Sequence, residues 1–343
     1  MRFLSDKAVD RLRQNANLPD LSGTRYHLLE HIARGGMGVV YTAHDEVLDR
    51  RVALKILDAP VADSDLARRL NREARVLAHL EHPGIVPVHD VGTLGDGRVF
   101  YTMKFVEGQR LDKQIETVTS LPERLRLFSR ICDAVAFAHA RGVLHRDLKP
   151  ANVMVGAFGE VLVMDWGLAK ILRGQSGKAA EDDRDATIVH LPKANDQPAD
   201  AMQTTQITGQ GTVLGTPGYM APEQAAGDIA HVNERSDIFS LGALLRFLCA
   251  PVALANANSP WRREKALEAI CAKATENDPA KRYASVSELS ADVSRYLDGL
   301  PVSARKENLL DKTARFYRRH TVPILLIAAY LIVRILILLF FHR

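Results

Sequence analysis

Twenty consecutive residues, Val322 to Phe341, constrain this chain most, because nearly all are Leu, Ile, Val, Ala or aromatic. A helix rises about 1.5 Å per residue, so the run spans about 30 Å, the thickness of a bilayer core. One charge, Arg334, interrupts it. A central arginine opposes insertion by about 2.5–3.5 kcal/mol. Fifteen Leu, Ile, Val and Phe residues each favour it by about 0.3–0.6 kcal/mol and outweigh that cost. Arg334 also lies toward the C-terminal end, where its stem can snorkel. A buried core helix of this length would carry a polar face. The run therefore predicts a single transmembrane helix over 322–341. Arg305, Lys306, Lys312, Arg315, Arg318 and Arg319 precede it, and only His342 and Arg343 follow. That bias places the preceding residues in the cytoplasm, on the cytoplasmic (inner) membrane. The basic segment 299–321 then forms a juxtamembrane linker suited to anionic lipid head groups. With two residues after the run, a signal is expected from the cytoplasm, the lipid or a partner within the membrane.

What precedes the run reads as one large globular domain. The chain has 343 residues, 47% apolar and 25% charged, enough for a normal core. A net charge of +4 is too small to point to nucleic acid. Cys132, Cys249 and Cys271 are far apart and form no CxxC or Cys/His cluster, which excludes a disulfide framework and a zinc site. Buried free thiols in a reducing compartment are expected. The first residues lack the apolar stretch of a signal peptide, and 1–25 read as a polar lead-in. Short β-type runs follow at 26–32, 38–45 and 51–57, then a helical spacing over 64–80 with Ser64 or Asp65 as its cap. Two more β-type runs occupy 85–91 and 98–105. Beyond about residue 110 the pattern is helical, most clearly over 121–141. The layout is α+β, a small β-rich lobe and then a larger helical lobe. Residues 172–211 are rich in Gly, Ser, Thr, Gln, Asp and Ala, the composition of a functional or disordered loop.

Four blocks carry chemistry. Arg34-Gly35-Gly36-Met37-Gly38-Val39-Val40-Tyr41 lies between two strands, and its glycines let backbone N–H groups approach phosphates. Val52-Ala53-Leu54-Lys55 ends a strand on a lysine that can hold phosphates as a point charge. His145-Arg146-Asp147-Leu148-Lys149-Pro150-Ala151-Asn152 supplies a carboxylate to orient a hydroxyl, a cation for the moving phosphoryl group and an amide oxygen for metal. Asp165-Trp166-Gly167 adds a second carboxylate suited to Mg²⁺. Gly215-Thr216-Pro217-Gly218-Tyr219-Met220-Ala221-Pro222-Glu223 closes the loop region.

In this order and at these distances the blocks resemble the protein-kinase family, most closely the bacterial kinases of eukaryotic type, called Hanks-type or PknB-like. The resemblance covers about residues 26–298 and implies a bilobal kinase fold, with 172–211 inserted in the activation loop. It implies an ATP site lined by Ile32, Ala33, Gly35, Gly36, Gly38, Val40, Ala53, Lys55, Met103, Lys104, Phe105 and Val106. Lys55 would hold the α- and β-phosphates and pair with Glu73. Asp147 would be the catalytic base, and Lys149 would neutralise the γ-phosphate, the pattern of serine/threonine kinases. Asn152 and Asp165 would hold Mg²⁺, for which Mn²⁺ can stand in. Thr216 would contact the Asp147–Lys149 pair at the substrate site. Glu223 would pair with Arg282, and Asp237 would anchor the catalytic-loop backbone. The implied partners are ATP, proteins bearing Ser or Thr, membrane lipid and a second copy of the chain.

The sequence departs from the family at three places. Ala33 stands where a loop glycine belongs, and alanine pays a cost at positive φ, so weaker nucleotide binding is expected. Trp166 replaces a phenylalanine and should fill the same apolar pocket. The stretch between Leu241-Gly242 and Leu267-Glu268 is short, where the family builds a substrate-docking helix. Ser176, Thr187, Thr204, Thr205, Thr208 and Thr212 lie in the long loop, and Arg146 is placed to answer a phosphate there. Autophosphorylation is expected among Thr204, Thr205, Thr208 and Thr212. The competing reading is a membrane-anchored pseudokinase scaffold that binds nucleotide or a partner without turnover.

Overall fold

The computed structural model describes residues 18–35, 38–57, 65–118, 120–166, 170–171, 218–228, 231–255, 261–305, 330–332 and 334. The N-terminal part is a five-stranded antiparallel sheet: β1 (Tyr26–Gly35), β2 (Gly38–Asp45), β3 (Arg50–Ile56), β4 (Val88–Thr93) and β5 (Val99–Lys104), in the order β1-β2-β3-β5-β4. Side chains alternate across a strand, so each strand contributes to two faces. Val52, Leu54, Ile56 and Phe100 join Val39, Tyr41 and Ala43 in one apolar cluster. Ala53, Val99, Tyr101 and Met103 belong to the other cluster, which continues into the second lobe. Lys55 falls in step with Ala53, on the face that looks toward the rest of the protein. Helix α1 (Asp65–His79) packs there, burying Ala67, Leu70, Glu73, Ala74 and Leu77 while Arg68, Arg72 and Arg75 stay exposed. This spacing of three and four residues is that of one helical face.

The second lobe is helical around a small sheet: β6 (Gly108–Arg110), α2 (Leu111–Gln114), α3 (Leu121–Ala140), β7 (Val143–Leu144), β8 (Val153–Gly156), β9 (Val161–Val163), β10 (Lys170–Ile171), α4 (Pro222–Ala225), α5 (Glu234–Ala255), α6 (Trp261–Ala274) and α7 (Val286–Leu297). Strands β6, β8 and β9 pair antiparallel, and β7 pairs with β10. Helix α3 buries Leu125, Phe128, Ile131, Cys132, Val135 and Ala138 against α5 and α7. Its Arg124 is buried too, because it donates to the carbonyls of Ile115, Val118 and Leu248 and ties α3 to α2 and α5. Helix α7 is capped by Ser285, whose Oγ accepts from the Glu288 amide. Asp292 accepts from the Tyr283 hydroxyl and from the Ser303 and Ala304 amides, so the packing runs on past the end of α7.

Only residues 256–260 separate α5 from α6. Residues 256–260 lie outside the described residues. Cys132, Cys249 and Cys271 are free thiols, as expected. Among the described residues no helix is long and apolar enough to cross a membrane. The run 322–341 lies largely outside them. Its described positions, Tyr330, Leu331, Ile332 and Arg334, are helical, and the three apolar ones are exposed.

Candidate active site

The site lies where the inner face of the sheet meets the loops of the second lobe. Lys55 Nζ donates to both Glu73 oxygens at 2.9 Å, joining β3 to α1. Burial works against the Lys55 ammonium, but the Tyr101 oxygen and the Glu73 and Asp165 carboxylates outweigh it and hold its pKa well above the ordinary value. Lys55 Nζ also lies 3.6 Å from Asp165 Oδ1. The Asp165 side chain is half exposed. Burial pushes its carboxyl up, yet Lys55, His145 and Lys149 prevail and keep it below the usual carboxylate range. The β3 lysine, the α1 glutamate and the carboxylate before Trp166 are thus already assembled.

The loop between β7 and β8 carries the second cluster. Lys149 Nζ donates to Asp147 Oδ2 at 2.7 Å. Asn152 donates through Nδ2 to the Asp147 carbonyl at 2.8 Å and to Asp147 Oδ2 at 3.1 Å. That use of the nitrogen turns the amide oxygen of Asn152 away from the Asp147 carboxylate, ready to accept elsewhere. Two residues here, Arg146 (φ 71°) and Asp165 (φ 59°), adopt the left-handed region without being glycine. Such geometry costs about 1–3 kcal/mol and persists only where neighbours enforce it. For Arg146 the enforcement is visible. Asp237, buried in α5, accepts from the Arg146 amide at 2.8 Å and the His145 amide at 2.9 Å. Gln224 Nε2 donates to the Arg146 carbonyl from the other side at 2.9 Å. Asp237 also bonds His139 Nε2 at 2.8 Å. Burial raises the Asp237 carboxyl, and the His139 contact, His145 and the Arg146 amide more than reverse it.

The Arg146 guanidinium has its Nε and Nη2 buried with no hydrogen-bond partner among the described residues. Trp166 is 1% exposed, its ring centroid 4.6 Å from that of His145, and Nε1 donates to the Val163 carbonyl. The larger ring fits, as the sequence led us to expect. Glu223 and Arg282 form a two-pronged buried pair at 2.7 and 2.8 Å, with Ser236 as a further donor to Glu223.

Of the ATP-site candidates, Ala53, Met103 and Val106 are buried, Val40 and Phe105 partly so, and Ile32, Ala33, Gly35 and Lys104 are exposed. A Cβ on Gly38 would run into the Ile56 carbonyl oxygen, so only glycine fits there. Ala33 corrects an expectation. It pairs with Val40 and is not among the residues of positive φ, so alanine carries no backbone cost at that position. Gly36, Gly167, Thr204, Thr205, Thr208, Thr212 and Thr216, with the insertion 172–211, lie outside the described residues. Sequence reasoning did not single out Tyr101, His139 or Gln224. The structure places Tyr101 opposite Lys55 in the β3–β5 register.

This is the architecture of a phosphotransferase cleft, with a glycine-walled strand pair above and an Asp/Lys/Asn loop below. A family model described as protein kinase domain matches residues 26–306, and the chain belongs to the protein kinase family of enzymes. Among similar proteins, the serine/threonine-protein kinase PknD of Chlamydia trachomatis serovar L2b (strain UCH-1/proctitis) is 35% identical over 340 residues, covering 88% of this chain. The PknD of Chlamydia caviae is 34% identical with the same coverage. The chain spans 34% of the length of these relatives. The crystal structure of the Mycobacterium tuberculosis PknI kinase domain matches with a TM-score of 0.53 at 25% identity, covering 79% of this chain and 96% of that one.

Proposed function

We propose that this chain is an active serine/threonine protein kinase that transfers the ATP γ-phosphate to protein hydroxyls while tethered to the cytoplasmic membrane. The observation that carries the activity is the joint assembly of Lys55–Glu73, Lys55–Asp165 and Lys149–Asp147 in one cleft. A scaffold under no demand for turnover would have no reason to keep all three. The residues present also suit magnesium. Among the described residues no cluster of three His, Cys, Asp or Glu holds a metal alone. An ionised, half-exposed Asp165 and the amide oxygen of Asn152 would share Mg²⁺ with phosphate oxygens and water, its usual mode of binding. Bound there, the metal supplies charge neutralisation for the phosphates.

The chain's own residues do the rest. Asp147 accepts the proton of the acceptor hydroxyl and orients it. Lys149, already paired to Asp147, stabilises the charge that develops on the transferred group. Lys55 fixes the nucleotide's phosphates from above. Arg146, with two buried nitrogens lacking a partner among the described residues and the Arg72 charge near enough to depress its pKa after burial and against Asp237, suits a phosphate on the 172–211 loop. Thr204, Thr205, Thr208 and Thr212 are the proposed acceptors. The membrane reading is supported by the exposed, helical Tyr330, Leu331 and Ile332 within the apolar run. The short stretch read in the sequence between Leu241-Gly242 and Leu267-Glu268 favours a second reading, a scaffold that lacks a docking surface for substrate.

A coupled ADP-release assay with Mg²⁺, ATP and a generic Ser/Thr acceptor protein separates the two. Turnover that falls at least about a hundredfold in Asp147→Asn supports the kinase. Nucleotide binding with no turnover in either chain supports the scaffold.

A further inference from the structure

Glu73 has more donors than its ion pair accounts for. Its side chain is fully buried, and a buried carboxylate persists only when donors meet it. Lys55 meets both oxygens. A third donor arrives from β5, where the Tyr101 hydroxyl donates to Glu73 Oε1 at 2.8 Å. Tyr101 is 2% exposed and lies directly across the ladder from Lys55, whose ammonium is 5.6 Å from the ring centroid. Val99 and Met103, on the same face of the strand, are apolar. Packing alone therefore asks for no hydroxyl here, and one buried without a partner would be costly. Burial pushes the Tyr101 phenol well above its ordinary range, so it remains a donor.

Counting donors shows what the hydroxyl adds. An ammonium has three N–H bonds. Two of those on Lys55 serve Glu73, and the remaining one faces Asp165. When Lys55 turns a donor to a phosphate oxygen, Glu73 stands to lose one. The Tyr101 hydroxyl is carried by the sheet and reaches the carboxylate independently of the Lys55 ammonium.

We propose that Tyr101 is a positioning residue for phosphoryl transfer: its phenol holds Glu73, and with it α1, in place while Lys55 engages the phosphates. The inference rests on the kinase reading above. Tyr101→Phe in the full chain removes only the hydroxyl. The expected result is a kcat about five- to tenfold lower, in line with one lost hydrogen bond. The KM for protein substrate stays unchanged, and the melting temperature without nucleotide falls by no more than about 6 °C. The rise in melting temperature on adding Mg²⁺ and ATP becomes smaller than in the wild type. An unchanged kcat and an unchanged nucleotide-induced rise overturn the proposal. So does a lower melting temperature with kcat intact, the mark of packing alone. A wild type that binds nucleotide without turning it over defeats the kinase reading instead. In that case a nucleotide-induced rise equal in both chains still overturns the role given to Tyr101.

Discussion

Asp237→Asn tests how the catalytic loop is held. The wild-type carboxylate is 1% exposed and receives three hydrogen bonds: the Arg146 amide on Oδ1, and the His145 amide and His139 Nε2 on Oδ2. Asparagine keeps the shape but offers a single acceptor oxygen. With its nitrogen in the Oδ2 position, it places a donor against the His145 amide and against His139. With the amide reversed, it does so against the Arg146 amide. An orphaned buried N–H costs about 1–3 kcal/mol, and loss of the bond to a charged acceptor about 1.5–3 kcal/mol. The sum is about 2.5–6 kcal/mol. For a domain of this size each kcal/mol lowers the melting temperature by about 2–4 °C, so a fall of about 5–24 °C is predicted. Activity should fall further than stability. Arg146 would lose an amide partner that enforces its left-handed backbone, and Asp147 is the next residue. A loss of at least about tenfold in kcat is expected at a temperature where the variant remains folded. Thermal denaturation by circular dichroism, with Asp147→Asn as a folded but inactive control, gives the answer. An Asp237→Asn chain that melts within about 2 °C of wild type and keeps its kcat would refute the reasoning.

Arg282→Ala leaves the buried Glu223 carboxylate without its two-pronged partner and should destabilise by about 3–5 kcal/mol, read as a lower denaturant midpoint. Ala33→Gly should leave ATP affinity unchanged by calorimetry, since Ala33 is not at positive φ; a clear gain would contradict that. Asp165, Asp237, Glu223 and Asp292 are each raised by burial and lowered more by their donors, so their folded pKa values lie below the unfolded ones. They bind fewer protons folded than unfolded in that window. Their stabilisation is therefore complete at neutral pH and is lost as pH falls below about 4, where the melting temperature should drop steeply. Removal of residues 322–343 should move the protein from the membrane pellet to the supernatant after ultracentrifugation, and an unmoved protein would argue against the tether.

Much of this site was legible in the sequence because its residues sit in short contiguous blocks. The spacing of Asp147, Lys149 and Asn152 places them on one loop whatever the rest of the chain does. The two faces of β3 follow from alternation, and α1 from its helical spacing of apolar residues, whereas the pairing of β3 with β5 does not. The pairings that remained hidden join elements far apart in the chain. Gln224 reaches Arg146 across 78 positions, and Tyr101 reaches Glu73 across 28. A lone tyrosine in a β run carries no mark that its hydroxyl will meet a carboxylate. The cost assigned to Ala33 failed for a related reason: a residue type fixes which conformations are expensive, and only the backbone says which one is adopted.

The most direct measurement is transfer of the labelled γ-phosphate of ATP, followed by acid hydrolysis to phosphoamino acids. Incubated with Mg²⁺, the wild-type chain should yield phosphothreonine and phosphoserine, with label mapping to the 172–211 loop or to Thr212, and Asp147→Asn should yield none. Label that persists unchanged in Asp147→Asn, or a wild type that never incorporates label while binding nucleotide, would contradict the account.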